Sequence, residues 1–263
     1  MLAGLVLTVA LTVDPRRVWL VRAATARIAA VVALPLLTLL PAAVGLASLF
    51  SDPIRDGLVA LGLAPTEVAA AGLVGLAAGA VDEALLAVIA SFLVVAALAP
   101  VGVPALSGST LDAVDLAVRF GSVLILPLAA GLAIRGSTNG PRLGSVAERA
   151  VAPVLALLVY AALADLPHPA SLGPVAAAAA LFLGVALGAT ALLWRWFPDR
   201  RTYPFVFGMR DFAVGVGIAS AMGSSGAGAV PAVYGIMMLI ASTVAAAALR
   251  RTSARRHDAR KDP

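Results

Sequence analysis

Two short stretches of this 263-residue chain place backbone-breaking residues beside ionisable ones inside otherwise apolar sequence. The first is Ala64-Pro65-Thr66-Glu67-Val68-Ala69-Ala70-Ala71-Gly72, where Pro65 withholds a helix donor and Glu67 follows within one turn. The second is Gly208-Met209-Arg210-Asp211-Phe212-Ala213-Val214-Gly215-Val216-Gly217, a glycine-rich run holding adjacent opposite charges. A charge in hydrocarbon is costly, and bendable backbone beside it lets helix ends contribute to a binding site. The chemistry this pattern supports is substrate binding or proton coupling by Pro65, Thr66, Glu67, Gly208, Arg210 and Asp211. The plainer alternatives are a fixed network of ion pairs that clamps two helices, and glycines used only for close helix packing. A third place, Asp115 with Arg119, has i,i+4 spacing near a span end and reads as a structural ion pair or interfacial anchor.

The elements that must position these residues are membrane-spanning helices. Hydrophobic residues make up 61% of the chain, only 13% are charged, and the mean hydropathy is +1.00, so one water-soluble core cannot hide the apolar surface. The apolar residues fall in blocks of about 20, the length a helix needs to cross the hydrocarbon. Full spans are expected near 28–50, 57–79, 84–104, 113–134, 150–166, 171–194, 204–222 and 228–249, separated by Pro-, Asp-, Gly- and Ser-rich joints. Met1 to Val13 is too short to span and has neither the basic start nor the cleavage site of a signal peptide. It reads as the end of a helix that begins upstream. Residues 1–249 therefore form one N-terminally incomplete transmembrane domain, and 250–263 a basic tail. The Pro65 and Gly208 segments fall five spans apart, and an odd repeat length gives opposite topology to the two halves, the plan of an inverted-repeat transporter.

The +5 net charge does not point to nucleic acid, because its placement follows the topology. Arg16, Arg17, Arg22 and Arg27, then Arg135, Arg142 and Arg149, then Arg195, Arg200 and Arg201, then Arg250 to Lys261 all occupy alternate joints. The opposite joints hold only Arg55, so the C-terminus is expected in the cytoplasm and Met1 outside. The tail itself reads as a topology anchor, with attraction to anionic headgroups as the alternative. Enzyme chemistry has little support. There is no cysteine, and the two histidines, His168 and His257, lie in a joint and in the tail. Gly223-Ser224-Ser225-Gly226 has no accompanying base and reads as a turn. No metal site and no cofactor are expected.

Several short cues occur in an order that resembles the bile acid:sodium symporter family. They are Leu11-Thr12-Val13-Asp14-Pro15 after an early helix, Pro65 opening a small-residue run, Leu98-Ala99-Pro100 ending the next span, and Gly208-Met209-Arg210-Asp211. The resemblance implies a ten-helix fold with two crossed broken helices, of which this chain lacks the first helix and part of the second. It also exposes departures. Where sodium-coupled members read Pro-Gly-Gly-x-x-Ser-Asn, this chain has Thr66 and Glu67 for the glycines and Ala70 and Ala71 for Ser-Asn. Where they read Glu-x-Gly-x-Gln-Asn, it has Val206, Arg210 and Asp211 in place of Glu, Gln and Asn. Sodium needs several oxygen ligands, and a guanidinium stands nearby instead. The expectation is a bacterial inner-membrane carrier of a small organic anion, in contact with lipid, with protons as the candidate coupling partner, not sodium-coupled through the usual positions. The alternative is a non-transporting family member that serves as a membrane scaffold.

Overall fold

The computed structural model describes residues 2–12, 25–107, 113–137, 139–164, 172–197 and 199–258. The joints around Asp14-Pro15 and Pro167-His168-Pro169, with Arg16, Arg17 and Arg22, lie outside the described residues, as do Arg260 and Lys261. The described residues are helical apart from turns and one isolated backbone bridge. The helices are α1 (Leu2–Thr12), α2 (Thr25–Ala47), α3 (Ile54–Leu63), α4 (Ala69–Leu76), α5 (Val81–Ser107) and α6 (Ala113–Phe120). They continue with α7 (Leu126–Arg135), α8 (Gly140–Ala164), α9 (Leu172–Leu193), α10 (Tyr203–Gly208), α11 (Phe212–Ala221) and α12 (Ala229–Asp258). A single π-turn segment, Gly121–Ile125, joins α6 to α7 into one rod.

Five segments are long and apolar enough to cross a membrane: Ala26–Ala47, Val81–Leu106, Val114–Arg135, Leu172–Trp196 and Ala229–Arg251. Each coincides with an expected span. The other three expected spans take different forms. Residues 57–79 and 204–222 are interrupted pairs, α3 with α4 and α10 with α11. The span expected at 150–166 is the second half of α8, which starts at Gly140 and so carries Arg142, Glu148 and Arg149 on a helix instead of in a joint. Two further expectations are corrected. Leu98-Ala99-Pro100 does not end its span, because α5 runs through Pro100 and Pro104 to Ser107. The helix of the last span, expected to end near 249, also runs further, since α12 continues to Asp258.

The helices sort into two groups. In one, α1 lies along α7 and α8, with Gly131 admitting the backbone of α1 so closely that a Cβ there would come 2.9 Å from the Leu7 carbonyl. The other group holds α2 to α5 and α9 to α12, and its core is closed by Leu39, Leu58, Leu61, Val74, Phe182, Phe207 and Tyr234. Leu37, Leu49, Val101, Leu126, Leu192, Ile240 and Val244 point outward, 62–72% exposed. Apolar residues thus cover both faces of the long helices, which suits lipid and not water.

Side-chain contacts define the two ends of the bundle. At one end Arg27 and Glu83 both meet the Tyr203 hydroxyl, which donates to Glu83 Oε2, while the Thr202 hydroxyl accepts from the Ala80 N–H at 2.7 Å. At the other end Ser224 donates to Asp56, and Gly57 lies against the Ala227 carbonyl. There Gly223 and Gly226 take positive φ angles of 86° and 83°, which only glycine adopts cheaply, and so turn α11 back into α12. The starts of α2, α5 and α10 thus meet at one end, and the start of α3 meets the α11–α12 turn at the other.

Candidate functional site

Pro65 stops α3 by acting on the residue before it. Ala64 is pushed out of the helical region to φ −60°, ψ 148°, because the proline ring clashes with a helical predecessor. Helix resumes only at Ala69. The second break follows Gly208, with Met209 extended at φ −98°, ψ 119° and Asp211 at φ −69°, ψ 103°. Helix resumes at Phe212 because the Asp211 side chain caps it, accepting from the Val214 N–H at 2.9 Å.

The two breaks cross antiparallel and repair each other. Asp211 N–H donates to the Pro65 carbonyl at 2.8 Å, and Glu67 N–H donates to the Met209 carbonyl at 3.0 Å. These bonds make Thr66 and Arg210 an opposed antiparallel pair. In this register the N–H groups of Thr66 and Arg210 themselves point away from the partner strand and need other acceptors. Each finds a hydroxyl on a neighbouring continuous helix. Thr66 N–H donates to Ser91 Oγ of α5 at 2.8 Å, and Arg210 N–H donates to Tyr234 Oη of α12 at 3.2 Å. The Tyr234 hydroxyl then donates to the Gly208 carbonyl at 3.3 Å, and Thr66 Oγ1 to the Val206 carbonyl at 3.2 Å. Buried this deeply, such groups cannot turn to solvent, so this mutual pairing is what makes two broken helices tolerable.

The ionisable groups sit on helix ends of complementary sign. The Glu67 carboxylate receives N–H groups from the starts of both second halves, Ala69 of α4 at 3.3 Å and Phe212 of α11 at 3.4 Å. The Arg210 guanidinium lies at the end of α3, donating to the carbonyls of Gly62 and Ala64. Helix N-termini favour negative charge and C-termini positive charge, so both placements are electrostatically favourable. All of Thr66, Glu67, Arg210 and Asp211 are at most 2% exposed. Arg210 Nε has no hydrogen-bond partner.

All six expected residues are therefore brought together, though not all as expected. From the sequence, an acidic partner is expected for Arg210, because an unpaired guanidinium within a span is costly. Among the described residues it forms no guanidinium–carboxylate contact, although it feels the charge of Asp211. The reason is that the Asp211 carboxylate is engaged in capping α11, while the open carbonyls at the end of α3 lie within reach. Glu67 sits near Asp211, close enough for repulsion between them. Gly208 serves packing, since a Cβ there would fall 2.7 Å from Thr190 Oγ1 on α9. Asp115 and Arg119 stand 3.7 Å apart, more than 70% exposed, as the structural pair their spacing implies. Ser91 and Tyr234 escaped the sequence reading. Their only signal was a lone hydroxyl in an apolar span, which on its own does not reveal a partner 25 residues away in sequence. No protein-family model matches this chain, and no curated protein matches it.

Proposed function

We propose that the protein is a secondary transporter that moves a small organic anion across the cytoplasmic membrane, with the crossover of the two interrupted helices as its substrate site. The observation that carries this reading is the antiparallel Thr66–Arg210 crossing, flanked by buried Glu67, Arg210 and Asp211. Non-helical backbone at membrane depth is a costly feature that transporters use to bind and release ions. The order continuous, interrupted, continuous helix occurs twice, in α2 to α5 and in α9 to α12, and the antiparallel crossing runs the two triplets in opposite directions. This supports an inverted repeat within eight crossings, with the arginine-rich joints and the C-terminus in the cytoplasm. Division into two helix groups supplies surfaces that rock against one another.

The site favours a proton over sodium as the coupling ion. Ala70, Ala71 and Val206 offer no side-chain oxygen, and the carbonyls at the end of α3 already hold a guanidinium. The site holds one guanidinium and two carboxyls, so a neutral site carries one additional proton. Releasing Arg210 from Gly62 and Ala64 would free it to dock a substrate carboxylate. One observation favours the second reading, a non-transporting membrane scaffold: the crossover is filled by its own charges, with Glu67 on the N-termini and Arg210 on the C-terminus.

Uptake of a panel of radiolabelled organic anions into proteoliposomes, under imposed proton or sodium gradients, separates these readings. The carrier reading expects saturable uptake driven by a proton gradient, with that drive lost in Glu67→Gln. Strict dependence on sodium would show the ligand-loss argument to be wrong, and no saturable uptake of any anion by folded protein would favour the scaffold.

A further inference from the structure

A cavity of about 300 Å³ lies between α9, α10 and α12, open on one side. Its α9 wall is Leu183, Leu187, Thr190 and, just beyond the helix, Trp194, whose steps of four, three and four place them on one face. The facing wall on α12 is Met238, Ala245 and Leu249, and Met209 at the second helix break lies on its floor. The surface is apolar, because the Thr190 hydroxyl is turned onto the Ala186 carbonyl at 2.7 Å. From Leu183 to Trp194 the helix rises about 16 Å, roughly half the hydrocarbon thickness and hence the depth of one leaflet.

The two ends of this groove differ. The deep end, at Leu183, Met238 and Met209, has no charge on its walls. At the other end the next residues along both walls are basic and exposed, Arg195 after Trp194 and Arg250 and Arg251 after Leu249. Arg195 stands 5.9 Å over the ring of Trp196, which is 73% exposed. Among the described residues no carboxylate forms an ion pair with any of the three arginines. An apolar trough one leaflet deep, ending in tryptophans and uncompensated arginines at the interface, matches a molecule with a hydrocarbon tail and a negative head.

We propose that the groove between α9, α10 and α12 binds one acyl chain of an anionic phospholipid, with its headgroup held by Arg195, Arg250 and Arg251. A second copy of the chain fits less well, because it would bring its own three arginines to the same end. The site does not depend on whether the protein transports anything, since it is built outside the crossover and touches it only at Gly208 and Met209.

Trp194 provides the readout. In a Trp19→Phe, Trp196→Phe background it is the sole tryptophan, and bromine on a lipid acyl chain quenches its fluorescence on contact. The protein is reconstituted in phosphatidylcholine bilayers doped with brominated phosphatidylglycerol or, at the same mole fraction, brominated phosphatidylcholine. Phosphatidylglycerol is expected to quench roughly threefold more per mole, an advantage that salt and the combined change Arg195→Gln, Arg250→Gln, Arg251→Gln should each abolish. Ala245→Phe, at an exposed position on the rim, should fill the groove and remove the same advantage while the arginines remain. Equal quenching by both lipids would overturn the proposal, as would preference for phosphatidylglycerol that survives Ala245→Phe. So would protection of Trp194 from every brominated lipid accompanied by disulfide cross-linking of an Ala245→Cys variant, which would place a second copy on this face.

Discussion

Replacing Tyr234 by phenylalanine isolates the single hydroxyl on which one half of the helix crossover depends. The ring is retained, and so is its edge-on contact with Phe182 at 5.4 Å. What is lost is the acceptor for Arg210 N–H at 3.2 Å and the donor to the Gly208 carbonyl at 3.3 Å. Bonds of that length are at the weak end of the normal range, yet a buried N–H left without a partner costs about 1–3 kcal/mol. Hydrogen bonds between membrane helices average only about 0.6 kcal/mol when measured, because freed groups find other partners. Arg210 N–H has little chance to do so. The bonds from Asp211 to Pro65 at 2.8 Å and from Glu67 to Met209 at 3.0 Å fix the peptide's direction on both sides.

The expected cost of Tyr234→Phe is therefore about 1–3 kcal/mol, or roughly five- to 150-fold in the folding equilibrium. Equilibrium unfolding in mixed micelles of rising SDS fraction, followed by circular dichroism, measures it. Tyr160→Phe is the control, since Tyr160 is 70% exposed, and it should stay within about 0.3 kcal/mol of the parent. Ser91→Ala should carry a similar cost through Thr66 N–H, and Ser91→Thr, which keeps a hydroxyl, should recover part of it. Because both hydroxyls hold the same bridge, the double variant should cost less than the sum of the two. A Tyr234→Phe protein as stable as the Tyr160→Phe control would refute the reasoning, because Arg210 N–H would then have no need of the hydroxyl.

Other positions make separate predictions. Gly57→Ala should cost about 1–3 kcal/mol in the same unfolding assay, since its Cβ would lie 2.6 Å from the Ala227 carbonyl oxygen, whereas Gly72→Ala, with open space around it, should be neutral or stabilising by up to about 1 kcal/mol. Reporters fused after Pro263 should be active in the cytoplasm and those placed in the 167–169 joint outside, and the reverse result would invert the span assignment. Arg210→Gln should abolish saturable anion uptake in proteoliposomes, while Arg119→Gln should leave it intact, because the Arg119–Asp115 pair is exposed on both sides. Equal uptake by the Arg210→Gln and parent proteins would remove the guanidinium from the proposed substrate site.

Much of this architecture was legible in the amino-acid sequence because lipid imposes length and composition on each span. Five long helices were placed by apolar blocks alone, and two further segments were marked by Pro65 and by the glycines around Arg210 as places where a span would break. Proline by itself is a poor guide: Pro35, Pro41, Pro100, Pro104 and Pro153 all sit inside unbroken helices. Pro65 differs because the backbone groups it frees have a partner, the second break, 140-odd residues away. That pairing is tertiary, and it decided the rest. It turned Glu67 onto two helix N-termini, assigned Asp211 to a cap, and sent Arg210 to the carbonyls of Gly62 and Ala64 and away from the acid that sequence reasoning expected. It also recruited Ser91 and Tyr234. Local sequence specifies where a helix can stop, through steric and donor effects within a few residues. Which charges and hydroxyls then satisfy the stopped ends depends on what the packed bundle brings within hydrogen-bond reach, and only the folded chain determines that.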